Sequence, residues 1–533
     1  MKLNYAKTIE KWGIFEVTVS GPKEGNPFCD QWIKGTFCCK NEKKTVDGFY
    51  DGDGVYKVRF MPSFTDEYTF EIEASFDINM GEEVPEHKLG IADGGKEAEK
   101  YVVRNMLTGS FTVTSPSADN HGPVRVAGTY YLAYEDGTPY HCIGTTCYVW
   151  NLQNEELQKQ TLKTLEENAF NKIRFCIFPK HYDYNLHEPI TYPYEGTPCD
   201  SSVLNENNFA EYNGCAPGND WDFTRFNPAH FQHIEKCIQA LMKLGIEADL
   251  IVMHPYDRWG FSMMQAEDDD RYWKYVLARF SAYRNVWWSL ANEYDLMHEK
   301  TLSDWERYAG IICEKDPYHH LRSIHNCKAY YDYNLPWITH CSIQRTETYR
   351  SSELVNEWRE KYHKPVVLDE ICYEGNIQFG WGNISGEEMT RRFWEAFCRG
   401  GYPGHGETYL SPDRILWWSH GGVLHGTSPE RIKFLAKIMG ETPGLGVESM
   451  PCKWDEVACR AAGFPARKDY FIYYYSFMRP GFRDFYFDDT TEYQVEIIDT
   501  WEMTITDGGI HKGKFRVQLP GKEYMAVRLR VAK

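Results

Sequence analysis

The sequence predicts an α/β protein built on a (β/α)8 TIM barrel, flanked by an N-terminal and a C-terminal β-sandwich domain. The first observation is that strand and helix patterns alternate from about residue 122 to 442, with eight strand candidates, as parallel βαβ units require. The second is that both ends of the chain carry short strands separated by turn residues. The third is that two strand candidates end on a glutamate, at Glu293 and Glu370, where barrels carry their functional groups.

Composition restricts the class of partner and the compartment. A chain of 533 residues is too long for one hydrophobic core. Its net charge of -19 argues against a nucleic-acid partner and against an anionic membrane surface. The 16 cysteines include no C-x-x-C pair and lie mostly in apolar segments, which favours reduced thiols. The first residues lack the apolar region of a secretion signal, and no apolar stretch reaches spanning length, so we expect a cytoplasmic protein.

The first predicted domain comprises residues 1–118. Short runs that alternate apolar and polar side chains predict its strands, at 14–19, 55–60, 68–72 and 110–114. Gly, Asp and Pro residues form the turns between them, and the glycine-aspartate segment 48–54 lacks the closing glutamate of a calcium loop. An Ig-like β-sandwich is therefore expected.

The central predicted domain, residues 119–442, is the barrel. Its strands are expected at 140–150, 172–178, 246–254, 285–293, 321–326, 338–344, 366–370 and 404–410. Its helices are expected at 154–168, 228–244, 270–284, 302–314, 352–363, 387–399 and near 429–439. An open doubly wound sheet is the rival fold, but it needs a glycine-rich phosphate-binding turn after its first strand, and residues 144–150 do not form one. Strand patterns return in residues 443–533, which predict a second β-sandwich.

Two strand-terminal carboxylates suggest the chemistry. Glu293 and Glu370 close the fourth and seventh strands, whose tips lie on opposing arcs of the barrel mouth. Two carboxylates that flank one bond are the equipment for glycosidic bond cleavage. At a separation of about 5 Å one of them is a nucleophile, whereas a wider gap admits water and inverts the anomeric centre.

Other strand tips supply candidate sugar-binding groups. Arg174 lies inside an apolar strand, where its charge needs a partner carboxylate that it would keep ionised. Asn292 could bind a sugar 2-hydroxyl group. The remaining candidates are His254, Glu407, Trp417 and Trp418, with Glu374 as a further reserve carboxylate.

No motif for a metal or a cofactor is present. The sequence contains no H-E-x-x-H motif, no Cys/His cluster, no G-x-S-x-G nucleophile elbow and no P-loop. We therefore expect neither a metal nor a cofactor, and a metal-dependent hydrolase is disfavoured.

At this point the motifs resemble those of a known family. Residues 290–295 (Leu-Ala-Asn-Glu-Tyr-Asp) and 368–370 (Leu-Asp-Glu) are similar to the fourth- and seventh-strand motifs of clan A glycoside hydrolases. The whole chain resembles the apiosidase-like branch, which carries an N-terminal β-sandwich of unknown function and a C-terminal β-domain. The motifs that carry this likeness are 26–28, 48–54, 59–62, 373–375, 416–422 and 498–504. The resemblance implies that Glu293 is the acid/base and Glu370 the nucleophile, and it adds Tyr373 to the substrate-binding candidates.

The sequence thus predicts a retaining glycoside hydrolase that binds a carbohydrate and no nucleic acid or membrane. Exo action on small imported glycosides or oligosaccharides is expected, because an aromatic insertion at 179–226 follows the second strand and could wall the mouth. Its aromatic residues are Tyr182, Tyr184, Tyr192, Tyr194, Tyr212 and Trp221. Packing against a neighbouring domain is the alternative for this insertion. A non-catalytic carbohydrate-binding protein is the alternative for the chain. The sugar, the linkage, a homo-oligomeric state and the role of the N-terminal domain stay open.

Overall fold

Eight parallel strands form the centre of the molecule. The computed structural model describes residues 5–78, 106–182, 184, 189–202, 204, 215–452 and 456–532. The central strands, named β1 to β8 here, are Gly144–Thr146, Lys172–Cys176, Glu247–Met253, Val286–Ala291, Arg322–Ser323, Cys341–Gln344, Val366–Glu370 and Tyr402–His405. Their order is β5-β4-β3-β2-β1-β8-β7-β6, and a parallel bridge between His325 and Ser342 joins the two edges. The predicted (β/α)8 barrel is therefore confirmed.

Helices surround this barrel. The α-helices that follow its strands are Glu155–Glu167, Pro228–Lys243, Ala266–Phe280, Leu302–Lys315, Val355–Tyr362, Gly386–Cys398, Trp417–His420 and Ser428–Gly440. Single 3₁₀ turns lie at Trp150–Leu152, Phe261–Met263, Tyr294–Leu296, Ser352–Leu354 and Gly380–Gly382. Local sequence explains several helix starts, because the Asn154 and Ser385 side chains accept hydrogen bonds from backbone N–H groups of the first turn.

Several predicted elements have other bounds in the structure. The first strand, expected at 140–150, comprises only Gly144–Thr146. The third helix begins at Ala266 rather than 270, because Glu267, Asp268 and Asp269 fall in its first turn, where the helix dipole favours acidic residues. The fifth strand has only two residues, Arg322 and Ser323. The last strand ends at His405, and the following segment Glu407–Thr408 leaves the barrel to pair with Glu374–Gly375.

Two packed sheets form the N-terminal part. One sheet contains Thr8–Glu10, Met106–Thr114, Glu67–Ala74, Ile33–Cys38 and Lys43–Asp47, and the other contains Phe15–Ser20, Val55–Phe60 and Phe49–Tyr50. The sheets face each other through aromatic residues such as Phe15 and Phe111, whose ring centroids are 3.7 Å apart. A short helix, Pro27–Asp30, and a hairpin of Val124–Ala127 with Tyr131–Tyr134 complete this region.

Antiparallel strands form the C-terminal part. A six-stranded sheet contains Val447–Met450, Val457–Ala461, Tyr470–Tyr474, Met525–Val531, Tyr493–Asp499 and Thr504–His511. Its Tyr473 packs against Phe485 of a two-stranded sheet, Phe482–Tyr486 with Lys514–Gln518. The β-domains predicted at both ends of the barrel are therefore present. Each helix within the described ranges is too short or too polar to traverse a bilayer.

Candidate active site

A cavity of about 260 Å³ opens at the carboxyl ends of the barrel strands and contains both predicted carboxylates. Glu293 and Glu370 line it together with two lysines, Lys180 and Lys328, and a set of aromatic side chains. The aromatic residues are Tyr148, Tyr182, Tyr256, Tyr373, Trp381 and Trp418. Polar groups that converge in a mostly apolar pocket are typical of a small-molecule site.

Glu293 lies just beyond β4, at a point where the backbone turns sharply. Its φ and ψ of 52° and 55° fall in the left-handed region, which is costly for a residue with a β-carbon. Its carboxyl accepts hydrogen bonds from the hydroxyl of Tyr256 and from the Gln344 amide at 2.9 Å. Burial raises the pKa of Glu293, the charge of Glu370 raises it further, and the two donors offset only part of this.

Glu370 ends β7 in a different electrostatic environment. The hydroxyl of Tyr148 donates to its Oε1, and Arg174 Nη1 and His325 Nε2 each lie 3.2 Å from the same atom. Burial alone would raise the pKa of Glu370. The hydrogen bond and charge of His325, together with the charge of Arg174, outweigh burial and lower this pKa to about 2.

A polar chain joins the two carboxylates through His325. Its Nε2 lies 3.0 Å from Gln344 Oε1, and the amide of the same glutamine donates to Glu293. Its Nδ1 lies 3.0 Å from Ser342 Oγ, which donates its single proton to Asp369 at 2.5 Å. Each ring nitrogen of His325 therefore contacts an oxygen atom of this hydrogen-bonded network, which fixes the ring between the two carboxylates.

Arg174 is held by a group of buried ion pairs. The Nζ atom of Lys172 lies 2.7 Å from both Asp249 and Asp369, one on β3 and the other on β7. The Arg174 Nε atom lies 3.8 Å from the same two carboxylates, and its Nη2 donates to Asn292 Oδ1 at 2.9 Å. The ion pair expected for Arg174 is thus present, and its guanidinium is aimed at the cavity.

Lys180 places an ammonium group in the cavity wall. Its Nζ lies 4.2–4.8 Å from the ring centroids of Tyr148, Tyr182, Tyr256 and Trp418. No described residue forms an ion pair or a hydrogen bond with it, and its exposure is only 4%. Burial lowers the pKa of Lys180 to about 8, while the four rings stabilise the cation by cation–π contacts.

The predicted binding residues do not all reach the cavity. Tyr373 and Trp418 line it, and Arg174 and Asn292 contact its carboxylates from behind. The other three predicted residues, His254, Trp417 and Glu407, are not among the described residues that line the cavity. His254 bonds to the Phe178 carbonyl at 3.3 Å, Trp417 donates to Thr145 at 2.9 Å inside the barrel, and Glu407 lies in a separate cluster with Glu374 and His405.

The aromatic insertion is divided between two places. Tyr182 lines the cavity, and the ring of Tyr184 lies 6.2 Å from that of Trp418. Tyr192, Tyr194 and Trp221 instead pack against core residues such as Trp259 and Phe226. Tyr212 lies outside the described residues. Only the start of the insertion, among the described residues, therefore contributes to the wall of the mouth.

Several residues around the two carboxylates were not predicted from the sequence, although they share a recognisable position. Tyr148 lies two residues past β1, Tyr256 three past β3 and His325 two past β5, while Gln344 ends β6. A systematic inspection of all eight strand tips would have found them, because side chains at these tips converge on the mouth.

Family models match three parts of the chain. The model described as "Apiosidase-like, catalytic domain" matches residues 127–426. Two domains of unknown function match on either side, DUF5060 at residues 8–75 and DUF5605 at residues 454–530. No curated protein is significantly similar to the chain.

Solved structures share the architecture. A candidate glycoside hydrolase from Bacteroides vulgatus ATCC 8482 is 36% identical with a TM-score of 0.86, over 99% of this chain and 100% of that chain. A family 5 glycoside hydrolase from the same organism is 16% identical with a TM-score of 0.57, over 77% of this chain and 94% of that chain. At 16% identity the likeness concerns the fold alone.

The left-handed backbone at Glu293 gives a prediction about stability. Glu293→Gly and Glu293→Ala both remove the carboxyl group, but only glycine adopts this backbone without strain. We expect the free energy of unfolding of Glu293→Gly, measured by urea titration, to be about 1 kcal/mol higher than that of Glu293→Ala. Glu293→Asn should fall between them, since asparagine tolerates this region. Equal stability of the glycine and alanine variants would contradict the prediction.

Proposed function

The chain belongs to the apiosidase-like family of glycoside hydrolases, and from this premise we propose that it hydrolyses glycosides with retention of configuration. Glu293 is the proposed acid/base and Glu370 the proposed nucleophile. One observation carries the assignment: the two carboxylates line the same cavity, yet the pKa of Glu293 is raised and that of Glu370 is lowered to about 2. Carboxyl groups whose pKa values are driven apart can serve as acid and nucleophile at the same pH.

In the first step the ionised Glu370 attacks the anomeric carbon while Glu293 protonates the departing glycosidic oxygen. The bond to the leaving group breaks as a covalent glycosyl-enzyme bond forms. In the second step Glu293 removes a proton from water, the water oxygen attacks the anomeric carbon, and Glu370 leaves as a carboxylate. Arg174 and His325 favour this leaving step because their positive charges stabilise the carboxylate.

Asn292 is held so that its amide can orient the sugar. Its Oδ1 accepts from Arg174 at 2.9 Å and lies 3.1 Å from the Tyr148 hydroxyl, which places the Nδ2 group on the Glu293 side at 3.3 Å. We assign it the sugar 2-hydroxyl group. Lys180 supplies a second donor in the wall, and Trp418 and Trp381 offer flat apolar faces for the ring.

The proposed substrates are small, and the proposed mode of attack is exo. A cavity of about 260 Å³ is small for a ligand site, and Tyr182, Trp381 and Trp418 close part of its rim. A cavity of this kind suits one sugar unit at a chain end better than the middle of a polymer. All 16 cysteines are free thiols, three of them exposed, and this supports the cytoplasm, where small imported glycosides would be met.

The assignment of the two carboxylates predicts different losses. Glu370→Gln should abolish turnover of every substrate, because no nucleophile remains. Glu293→Gln should spare nitrophenyl glycosides relative to natural glycosides, since a good leaving group needs little protonation. Kinetics on a panel of pentosides, furanosides and hexosides would measure this. NMR of the first-formed sugar is the control, because an inverted anomer would refute the double displacement. If the unaltered protein binds sugars but turns none over, the carbohydrate-binding alternative is left.

Two tyrosine variants should shift opposite sides of the pH profile. Tyr148→Phe removes a donor to Glu370, so the pKa of the nucleophile rises and the acidic limb of kcat/KM moves to higher pH. Tyr256→Phe removes a donor to Glu293, so the pKa of the acid rises and the alkaline limb moves to higher pH. Each variant is the matched control of the other. A shift of the same limb of the pH profile in both variants would contradict the assigned roles.

The exo mode predicts the order of product release. Oligosaccharides labelled at the reduced end, with the linkage found in the glycoside panel, should lose single sugars from the non-reducing end. Chromatography at early times would show a ladder that shortens by one unit. Mid-length fragments at the first time points would disprove exo action while leaving the hydrolytic function intact.

A further inference from the structure

A second group of buried ionisable side chains lies beside the catalytic cavity and takes no part in its lining. Glu374 follows β7, His405 ends β8, and Glu407 lies two residues beyond it. One ligand atom from each of the three lies within 4.8 Å of the other two. None of the three side chains is more than 1% exposed.

The two carboxylates have no basic side chain to neutralise them. Among the described residues, no lysine or arginine forms an ion pair with Glu374 or Glu407. Four successive backbone N–H groups, those of residues 425–428, donate to their oxygens at 2.5–3.0 Å. These dipoles orient the two carboxyl groups but carry no net charge, and burying two acidic groups side by side is costly without a cation or a proton between them.

His405 presents an unused ligand atom to this space. Its Nδ1 lies 3.2 Å from Thr145 Oγ1, and its ring stacks on Phe170 with centroids 4.8 Å apart. Its Nε2 is buried and has no hydrogen-bond partner among the described residues. A histidine ligand in a metal site is held in this manner, with its second nitrogen hydrogen-bonded to fix the ring.

We propose that Glu374, His405 and Glu407 bind one divalent transition-metal ion, Zn²⁺ or Mn²⁺. An imidazole with two carboxylates suits these ions better than Ca²⁺, which prefers six or more oxygens. Bond lengths of about 2.0–2.2 Å place tetrahedral ligands about 3.3–3.6 Å apart, so ligand atoms that lie up to 4.8 Å apart need to approach by up to about 1.5 Å. The surrounding donors to both carboxylates supply the outer hydrogen bonds that such ligands require.

The ion has a structural role in this proposal. It would tie the segment after β7 and the end of β8 to residues 425–428, which precede the helix Ser428–Gly440. Close packing of that loop fits the role, because a β-carbon on Gly426 would lie 2.5 Å from Glu374 Oε2 and 2.7 Å from Glu407 Oε2. Tyr373, next to Glu374 in the chain, lines the catalytic cavity, so the ion would fix one wall without touching the reacting atoms.

Metal binding itself is the test. Protein stripped with EDTA and dialysed should bind one equivalent of Zn²⁺ or Mn²⁺ in calorimetric titration, with a dissociation constant in the micromolar range or below, and its Tm should rise. His405→Gln and Glu407→Gln should weaken binding about 100-fold or more, because each removes a ligand, and Thr145→Val about 10-fold to 100-fold. Tyr409→Phe is the matched comparison and should weaken binding less than the ligand variants, since it leaves all three ligands and the Thr427 donors to the same Glu374 oxygen.

The outcomes separate a metal from a shared proton. Absence of bound metal in the unaltered protein, with no change in Tm, would overturn the proposal and leave a proton between the two carboxyl groups. Equal affinity of His405→Gln and the unaltered protein would also overturn it. If the ligand variants fail to fold, Co²⁺ is added to the stripped, unaltered protein and its visible absorption is measured. A Co²⁺ ion bound by nitrogen and oxygen ligands has a different spectrum from free aqueous Co²⁺, so an unchanged aqueous spectrum would overturn the proposal.

Discussion

The ammonium group of Lys172, held between Asp249 and Asp369 inside the barrel, is the interaction on which the rest of the site depends. Burying these charges is costly, and the cost is offset only when all three groups meet at bonding distance. They come from β2, β3 and β7, which lie far apart in the chain. The arrangement therefore requires a closed barrel. Lys172 balances one of the two aspartate charges, and Arg174 Nε, 3.8 Å from both aspartates, faces the other. The Nη groups of Arg174 contact Glu370 and Asn292.

This cluster explains why the two cavity carboxyl groups differ. Arg174 and His325 contact Glu370 from two sides, whereas the described donors to Glu293 are neutral amide and hydroxyl groups. The ionised Glu370 then acts on Glu293 as a nearby negative charge and raises its pKa. One asymmetry in the surrounding groups thus drives the pKa values of the two carboxyl groups apart, as the proposed double displacement needs.

Much of the fold and the centre of the site were predictable from the sequence. An apolar strand that ends on Glu293 or Glu370, and a charge inside the apolar strand of Arg174, are local patterns, and local patterns are visible without a structure. The misses have a different physical origin. Trp417 and Trp418 are adjacent in sequence, yet they point to opposite environments, the barrel interior and the cavity. The aromatic side chains of the insertion are also equivalent in the sequence pattern. Only tertiary packing distinguishes Tyr182, which lines the cavity, from Tyr194, which packs against Phe226. The position of Lys180 was not predictable, because three of the four rings around its ammonium group, those of Tyr148, Tyr256 and Trp418, come from distant segments.

The strained backbone at Glu293 has a consequence for the evolution of this family. A functional residue held in a conformation that its own side chain disfavours is maintained by selection for activity and opposed by stability. Once a lineage no longer needs hydrolysis, drift toward glycine or asparagine at this position relieves strain, while the cavity formed by Trp418 and its neighbours persists. Proteins that bind a sugar but no longer hydrolyse it can therefore arise on this scaffold by neutral change.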